Sequence, residues 1–215
     1  MKASPPITCL FLDIGGVLLT DGWDHHARRR AAKHFQLDWD EMEERHSLNF
    51  VIYETGKLTL QEYLGWVVFY KKRAFTRAEF WRFMCAQSKP YLEMLKLMRL
   101  LRVSYGLKVI VLSNEARELN AYRIDKFKLG GFVDAFVSSC LVRLHKPDPA
   151  IFRLALDMAM TPGRQIAYIE NTPMFVQIAE GLGIRGLLHT DYKSTREKLA
   201  RLGLALDDEQ IHEAH

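Results

Sequence analysis

Cysteine is scarce in this sequence, and the few cysteines present are poorly spaced for disulfide bonds. Cys9, Cys85 and Cys140 include no pair at CxxC spacing, and an odd number of cysteines cannot all pair within one chain. A disulfide framework of the kind found in small secreted domains is therefore not expected. We predict three reduced thiols in a cytoplasmic protein.

Long apolar runs are also missing. Residues 7–19 are largely apolar, but Asp13 interrupts them, and the run is too short to cross a bilayer. No small-residue cleavage site follows it. The sequence therefore predicts no membrane span, and we interpret this segment as a buried strand and the loop after it.

No dense block of basic residues is present. Lys and Arg number 30 against 26 Asp and Glu, which gives a net charge of +4, and the basic groups at residues 28–30 and 71–73 are short. Nucleic-acid-binding domains normally carry a basic stripe or cluster, so we expect no nucleic acid partner. A mild positive charge is compatible with a small anionic ligand.

Short apolar runs recur along the 215 residues, 48% of which are apolar. That length suits one core, or one domain that carries an insertion. The runs are nearly continuous rather than alternating, as in parallel strands covered on both faces, and helical patterns separate the later ones. We therefore predict an α/β fold with a doubly wound parallel sheet. The predicted strands are residues 7–12, 108–113, 135–138, 165–170 and 185–190.

The segment after the first predicted strand has a different character. Thr59 and Thr76 are each followed three residues later by a glutamate, which predicts two helices that begin with capping boxes. Asp40 is a third predicted N-cap. The four predicted helices are residues 24–35, 40–53, 59–71 and 76–87.

Aromatic residues are concentrated in the same segment. Ten of the 24 in the chain fall within residues 50–83, which favours a separate small core over an aromatic platform for bases. We predict that residues 22–87 are a helical insertion and that residues 1–21 and 88–215 form the α/β core.

Polar residues follow the predicted strands, where the ligand site of an open parallel sheet lies. A carboxylate there can be a nucleophile, a hydroxyl and backbone amides can hold a phosphate oxygen, and an ammonium can neutralise charge. Carboxylate, amide and carbonyl oxygens suit Mg²⁺. Together they predict phosphoryl transfer. The residues are Asp13, Gly15, Gly16, Ser113, Asn114, Lys146, Glu170 and Asn171.

Four segments carry a family resemblance. They read FLDIGGVLL at 11–19, VIVLSN at 109–114, HKPDPAIF at 145–152 and AYIENTPMFVQIAEGLGI at 167–184. In this order they resemble the haloacid dehalogenase superfamily over nearly the whole chain. The resemblance implies a Rossmann-like core with an inserted α-helical cap of the C1 type.

The resemblance also implies residue roles. Asp13 would be the nucleophile that forms an aspartyl-phosphate, with Ser113 and Lys146 as its catalytic partners. The implied substrate-binding residues are Gly16, Ser113, Asn114 and Lys146. The implied Mg²⁺ ligands are Asp13, the Gly15 carbonyl, Glu170 and Asn171.

Two positions depart from the family pattern. Family phosphatases commonly carry a second aspartate where this chain has Gly15, and glycine cannot transfer the protons of general acid–base catalysis. Asn171 stands where a paired acid is common, so one negative charge near the metal is missing. Asp21, His25 and His26 are candidates to replace the missing proton carrier.

These observations lead to one main hypothesis and two rivals. The main hypothesis is a Mg²⁺-dependent phosphatase that acts on a small phosphorylated metabolite. The rivals are a metal-free haloacid dehalogenase, against which the extra carboxylate of Glu170 argues, and a phosphate-binding protein without turnover. The sequence identifies neither the substrate nor the oligomeric state.

Overall fold

A five-stranded parallel sheet forms the centre of the computed structural model, which describes residues 6–207. The strands lie in the order β3-β2-β1-β4-β5, so β1 is central. Phe11 in β1 is in register with Ile110 of β2 and Tyr168 of β4. The strands are β1 (Cys9–Leu12), β2 (Lys108–Ser113), β3 (Ala135–Ser138), β4 (Ile166–Glu170) and β5 (Arg185–Leu188). The predicted doubly wound parallel sheet is confirmed.

Helices cover both faces of the sheet. Successive side chains of β1 alternate between the faces: Leu10 and Leu12 belong to one buried cluster, and Phe11 belongs to the other. The helices of this part are α5 (Leu92–Tyr105), α6 (Arg117–Lys126), the short α7 (Ser139–Val142), α8 (Pro149–Ala159), α9 (Pro173–Gly181) and α10 (Tyr192–Arg201). The sequence did not predict α10, whose N-cap is Asp191.

Four helices lie between β1 and α5. We call them the helical segment: α1 (His25–His34), α2 (Trp39–Glu54), α3 (Leu60–Val67) and α4 (Arg77–Ala86). Both predicted capping boxes are present. The predicted N-cap at Asp40 is wrong, because α2 begins one residue earlier and the Asp38 carboxylate accepts the Glu41 N–H at 2.9 Å.

The helical segment has a core of its own, as the aromatic residues predicted. Its buried cluster includes Tyr53, Tyr63 and Phe80, and the rings of the two tyrosines stack with centroids 4.1 Å apart. The aromatic concentration therefore serves packing.

The two ends of the helical segment meet where they join the sheet layer. Thr20 N–H donates to the Lys89 carbonyl at 2.9 Å, and Lys89 N–H donates to the Thr20 hydroxyl at 3.0 Å. We call these two residues the linker pair. The chain therefore leaves and re-enters the α/β core at a single place.

All three cysteines are buried and unpaired. Across residues 6–207 no helix is both long and apolar enough to span a membrane.

Candidate active site

The loop after β1 places Asp13 at the carboxyl edge of the sheet. Its N–H donates to the Ile169 carbonyl at 3.0 Å, which extends the pairing of β1 with β4. The turn that follows needs glycine at Gly16, because its φ is +70° and a Cβ there would lie 2.0 Å from the Asn171 side-chain nitrogen. Asn171 therefore packs directly against this turn.

A buried ammonium joins two of the predicted site residues. Lys146 Nζ lies 3.1 Å from Asp13 Oδ1 and 2.6 Å from Glu170 Oε2, and its side chain is 1% exposed. Burial alone would lower the pKa of Lys146, but the two carboxylates outweigh burial and hold the pKa above its usual value. The lysine therefore stays charged.

The same surroundings act on Asp13. Burial raises its pKa to about 6, the Lys146 ammonium opposes that rise, and the negative charge of Glu170 adds to it. A carboxylate with few hydration waters is a stronger nucleophile once it is ionised. The arrangement keeps a reactive carboxylate next to a cation that can balance its charge.

Glu170 is fixed by several donors at the end of β4. Besides Lys146, the Tyr168 hydroxyl donates to Oε2 at 2.5 Å, and Thr172 N–H donates to Oε1 at 2.9 Å. Burial raises the pKa of Tyr168 well above its ordinary value, so the hydroxyl keeps the proton that it donates. Sequence reasoning missed Tyr168, although residues two apart in a strand share a face.

The Ser113 hydroxyl lies at the end of β2 beside Asp13. It contributes to lowering the pKa of that carboxyl. It is buried, and within residues 6–207 no hydrogen bond of good geometry is formed by its Oγ. Buried hydroxyls are normally paired, so this one is available to an oxygen of a bound ligand.

Asn114 holds the Lys146 loop in place. Its Oδ1 accepts the Lys146 N–H at 2.9 Å, and its Nδ2 donates to the Lys146 carbonyl at 2.9 Å. The neighbouring His145 Nε2 lies 2.8 Å from Glu54 Oε2, which links this loop to helix α2. The amide of Asn114 is thus committed to Lys146, and a direct bond from Asn114 to substrate stays a prediction.

A cavity of about 440 Å³ lies between the helical segment and the strand ends. It reaches the sheet layer at Asn114 and Glu115, and the aromatic side chains of Trp23 and Phe50 form part of its wall. More carboxylates than guanidinium groups line the cavity. Its single guanidinium, that of Arg28, is paired with Glu43 at 2.6 Å. The acidic residues that line the cavity are Asp21, Asp24, Glu43, Glu54 and Glu115.

The three candidates to replace the missing proton carrier lie in different places. Asp21 and His25 are both exposed, but Asp21 lines the cavity and faces the turn of Gly15 and Gly16, and His25 lies 3.5 Å from Glu43. His26 is exposed and lines a separate cavity on the outer side of Asp21. Only Asp21 faces the glycine turn.

A divalent cation fits part of the predicted ligand set. No described N–H donates to the Gly15 carbonyl in a backbone hydrogen bond, so this oxygen is free, and the Asp13 carboxylate lies two residues before it. Glu170 already receives three donors. In the part of the chain that the structure describes, no three His, Cys, Asp or Glu side chains converge as a metal-binding group. The donors therefore suit an ion such as Mg²⁺, which retains several waters.

Sequence reasoning also missed a buried ion pair behind the cavity. Arg123 of α6 is 1% exposed and donates to Glu115 and to the Thr20 carbonyl. Nothing near Arg123 in the sequence marks it as buried, because both partners are distant or belong to loops. The pair ties the loop after β2 to the start of the helical segment.

Comparisons with known proteins identify the family and the fold. A family model described as haloacid dehalogenase-like hydrolase matches residues 7–183. A haloacid dehalogenase family enzyme from Bacteroides thetaiotaomicron has a TM-score of 0.74 at 20% identity over 86% of this chain and 95% of that chain. Its wild-type form in complex with magnesium and inorganic phosphate has a TM-score of 0.71 at 21% identity, over 86% and 94% of the two chains.

A second kind of enzyme shares the fold. L-2-haloacid dehalogenase from Xanthobacter autotrophicus, with chloropropionic acid covalently bound, has a TM-score of 0.60 at 14% identity over 93% of this chain and 85% of that chain. A comparison with curated proteins gives no match. At these identities the structural neighbours show the fold alone.

Proposed function

Because the chain belongs to the haloacid dehalogenase-like hydrolases, we propose that it is a Mg²⁺-dependent phosphatase that acts on a small phosphate monoester. The observation that supports this most is the buried Lys146 ammonium between Asp13 and Glu170, next to the unpaired Ser113 hydroxyl. This arrangement offers a nucleophile, a cation and a hydrogen-bond donor to one tetrahedral anion.

Each residue has a chemical task in the proposed reaction. The Asp13 carboxylate attacks phosphorus and the ester oxygen leaves, which forms an aspartyl-phosphate. Lys146 neutralises charge on the nucleophile and on the phosphoryl oxygens, and Ser113 donates to one of those oxygens. Water then attacks phosphorus and releases phosphate, which restores Asp13.

The proposed metal site comprises Asp13, the Gly15 carbonyl, Glu170 and Asn171. A bound Mg²⁺ would neutralise phosphoryl charge and orient the phosphate for in-line attack. Asn171 supplies a neutral oxygen there, and Thr172 N–H keeps the Glu170 carboxylate oriented. The complex of the Bacteroides thetaiotaomicron enzyme with magnesium and inorganic phosphate supports the choice of metal.

We propose that residues 22–87 act as a cap that selects the leaving group. The cavity beneath them is lined by an excess of carboxylates, which favours an organic group without negative charge. The three unpaired cysteines support a reducing, cytoplasmic setting.

The experiment measures hydrolysis of an aryl phosphate by the wild-type protein and by Asp13→Asn, with and without a chelator. We expect activity that needs Mg²⁺ and is lost in Asp13→Asn, because an amide is a poor nucleophile. The matched control is Asp125→Asn, whose side chain is 87% exposed, and it should retain full activity.

Other outcomes favour the two rivals. Halide release from a 2-haloacid that is insensitive to chelator would identify a dehalogenase. Phosphate-induced stabilisation without turnover across a broad panel of esters would identify a phosphate-binding protein. Hydrolysis that survives Asp13→Asn would reject the assigned nucleophile.

A further inference from the structure

The glycine turn after β1 leaves room for a carboxylate, and another part of the chain fills that room. A Cβ placed on Gly15 would lie 3.3 Å from Asp21 Oδ1, and a Cβ on Gly16 would lie 2.9 Å from the same atom. A side chain at position 15 would therefore project toward the place where the Asp21 carboxylate already lies. The missing acid at Gly15 is spatially replaced from six residues further along the chain.

Among the described carboxylates near the glycine turn, Asp21 is the one without a hydrogen-bond or ion-pair partner. Among the described residues it forms no ion pair and no side-chain hydrogen bond, whereas Glu115 is paired with Arg123 and Glu170 is held by Lys146. Asp24 caps α1 by accepting the Ala27 N–H at 2.6 Å. Asp21 therefore has no evident structural task, and it lines the cavity next to the strand ends.

The backbone around Asp21 is held from behind. Arg123 donates to the Thr20 carbonyl, and a Cβ on Gly22 would lie 3.1 Å from the same guanidinium. The linker pair fixes Thr20 from the other side. The backbone of Thr20 is thus anchored and Gly22 packs against the Arg123 guanidinium, so the chain on both sides of the exposed Asp21 side chain is held in place.

We propose that Asp21 is the catalytic acid and base of this phosphatase, in place of the aspartate that the first motif lacks at Gly15. In the first step the Asp21 carboxylic acid gives its proton to the ester oxygen as the P–O bond breaks and Asp13 bonds to phosphorus. In the second step the Asp21 carboxylate takes a proton from water as the water oxygen attacks phosphorus and the bond to Asp13 breaks. Asp21 therefore regains in the second step the proton that it gave up in the first.

This inference rests on the proposed function and makes a sharper prediction about leaving groups. An alkyl alcohol needs protonation to leave, whereas a nitrophenolate does not. We expect Asp21→Asn to lower kcat/KM for an alkyl phosphate by about 10²–10⁴-fold. The same variant should lower kcat/KM for p-nitrophenyl phosphate by less than about tenfold, because that parameter reports only the first step.

Rapid mixing with p-nitrophenyl phosphate gives a second readout. Asp21→Asn should release one nitrophenolate per enzyme in a burst and then turn over slowly, with phosphoenzyme recovered after acid quench, because the second step has lost its base. The matched control is Asp125→Asn, which removes a carboxylate whose side chain is 87% exposed and which does not line the cavity. It should show neither effect.

A rescue experiment tests position directly. Adding Gly15→Asp to the Asp21→Asn variant places a carboxylate on the other side of the same space. We expect the double variant to hydrolyse alkyl phosphates at least tenfold faster than Asp21→Asn, which would recover roughly one factor of ten of the general acid–base contribution. Equal losses for alkyl and aryl esters in Asp21→Asn, or no loss, would overturn the role of Asp21 while leaving the phosphatase intact. A wild-type protein that hydrolyses no ester, or an active Asp13→Asn, would overturn both proposals.

Discussion

At the scale of the residue, the site is organised around a charge that water does not reach. Removing an ammonium from water costs several kcal/mol, and only close, well-oriented anions offset that cost. Lys146 has two such anions, in Asp13 and Glu170, and Asn114 fixes its backbone through two hydrogen bonds. The lysine is therefore as important to the integrity of the site as to its chemistry.

Replacing Lys146 tests that dual role. Lys146→Met retains most of the volume but leaves two buried carboxylates without their cation, which should lower the free energy of unfolding by about 3–5 kcal/mol and abolish hydrolysis. Urea unfolding and an activity assay measure the two effects. Lys72→Met, at an exposed position, is the control and should change neither, and a Lys146→Met protein as stable as wild type would contradict this account.

Residues of the site differ in how well sequence predicted them. Asp13, Ser113, Lys146 and Glu170 follow strands or precede a helix, so the fold alone brings them to one edge. Arg123 resembles a solvated helix residue in the sequence, because its burial depends on partners in two other segments.

At the scale of the element, the turn after β1 depends on close approach. Gly16 has a positive φ, and Asn171 and Asp21 occupy the space that a side chain would need. The turn therefore brings the end of β1, the loop after β4 and the residues around Asp21 together without an intervening side chain.

Alanine substitutions at two glycines distinguish the cost of backbone strain from the cost of a steric clash. Gly16→Ala and Gly106→Ala both force alanine into a left-handed conformation, which costs about 1–2 kcal/mol, but nothing lies within 4 Å of the Cβ position at Gly106. We expect Gly16→Ala to lose clearly more stability than Gly106→Ala and most of its activity. Thermal unfolding and hydrolysis rates measure the difference, and equal losses would show that the collision is relieved by small movements.

Elements were predicted well where the local signal is strong. The continuous apolar strands and the two capping boxes are set by neighbouring residues, and both were found. The start of α2 was placed wrongly because Asp38 and Asp40 are both acceptable N-caps, and only the tertiary path of the chain selects between them.

At the scale of the whole molecule, the chain forms two cores, and a buried, neutral histidine of the helical segment, His46, lines the cavity. Trp23 Nε1 donates to the Tyr63 hydroxyl at 2.8 Å, and that hydroxyl lies 2.8 Å from His46 Nδ1. The hydroxyl proton is then directed to Nδ1, so His46 carries its own proton on Nε2. Burial lowers the pKa of His46 to about 3, and the nearby Arg28 adds to the effect.

That histidine makes global stability depend on pH. An unfolded histidine titrates near pH 6.5, so between about pH 6.5 and 3 the unfolded chain binds a proton that the folded protein excludes, and stability falls as the pH falls. From pH 6.5 to 5 this contribution is about 2 kcal/mol. His46→Gln should show a smaller loss than wild type over this interval in chemical denaturation, whereas His34→Gln, at the exposed C-terminal end of α1, should follow the wild type. Parallel curves for all three proteins would contradict the buried neutral state.

The linker pair has a consequence for the evolution of this fold. About 70 residues separate Thr20 from Lys89 along the chain, yet the two residues are bonded to each other. A different insert, or a short turn, can therefore join these points without altering the order of the five strands. Exchange of the residues between these two points would leave the part of the chain that carries Asp13 unchanged.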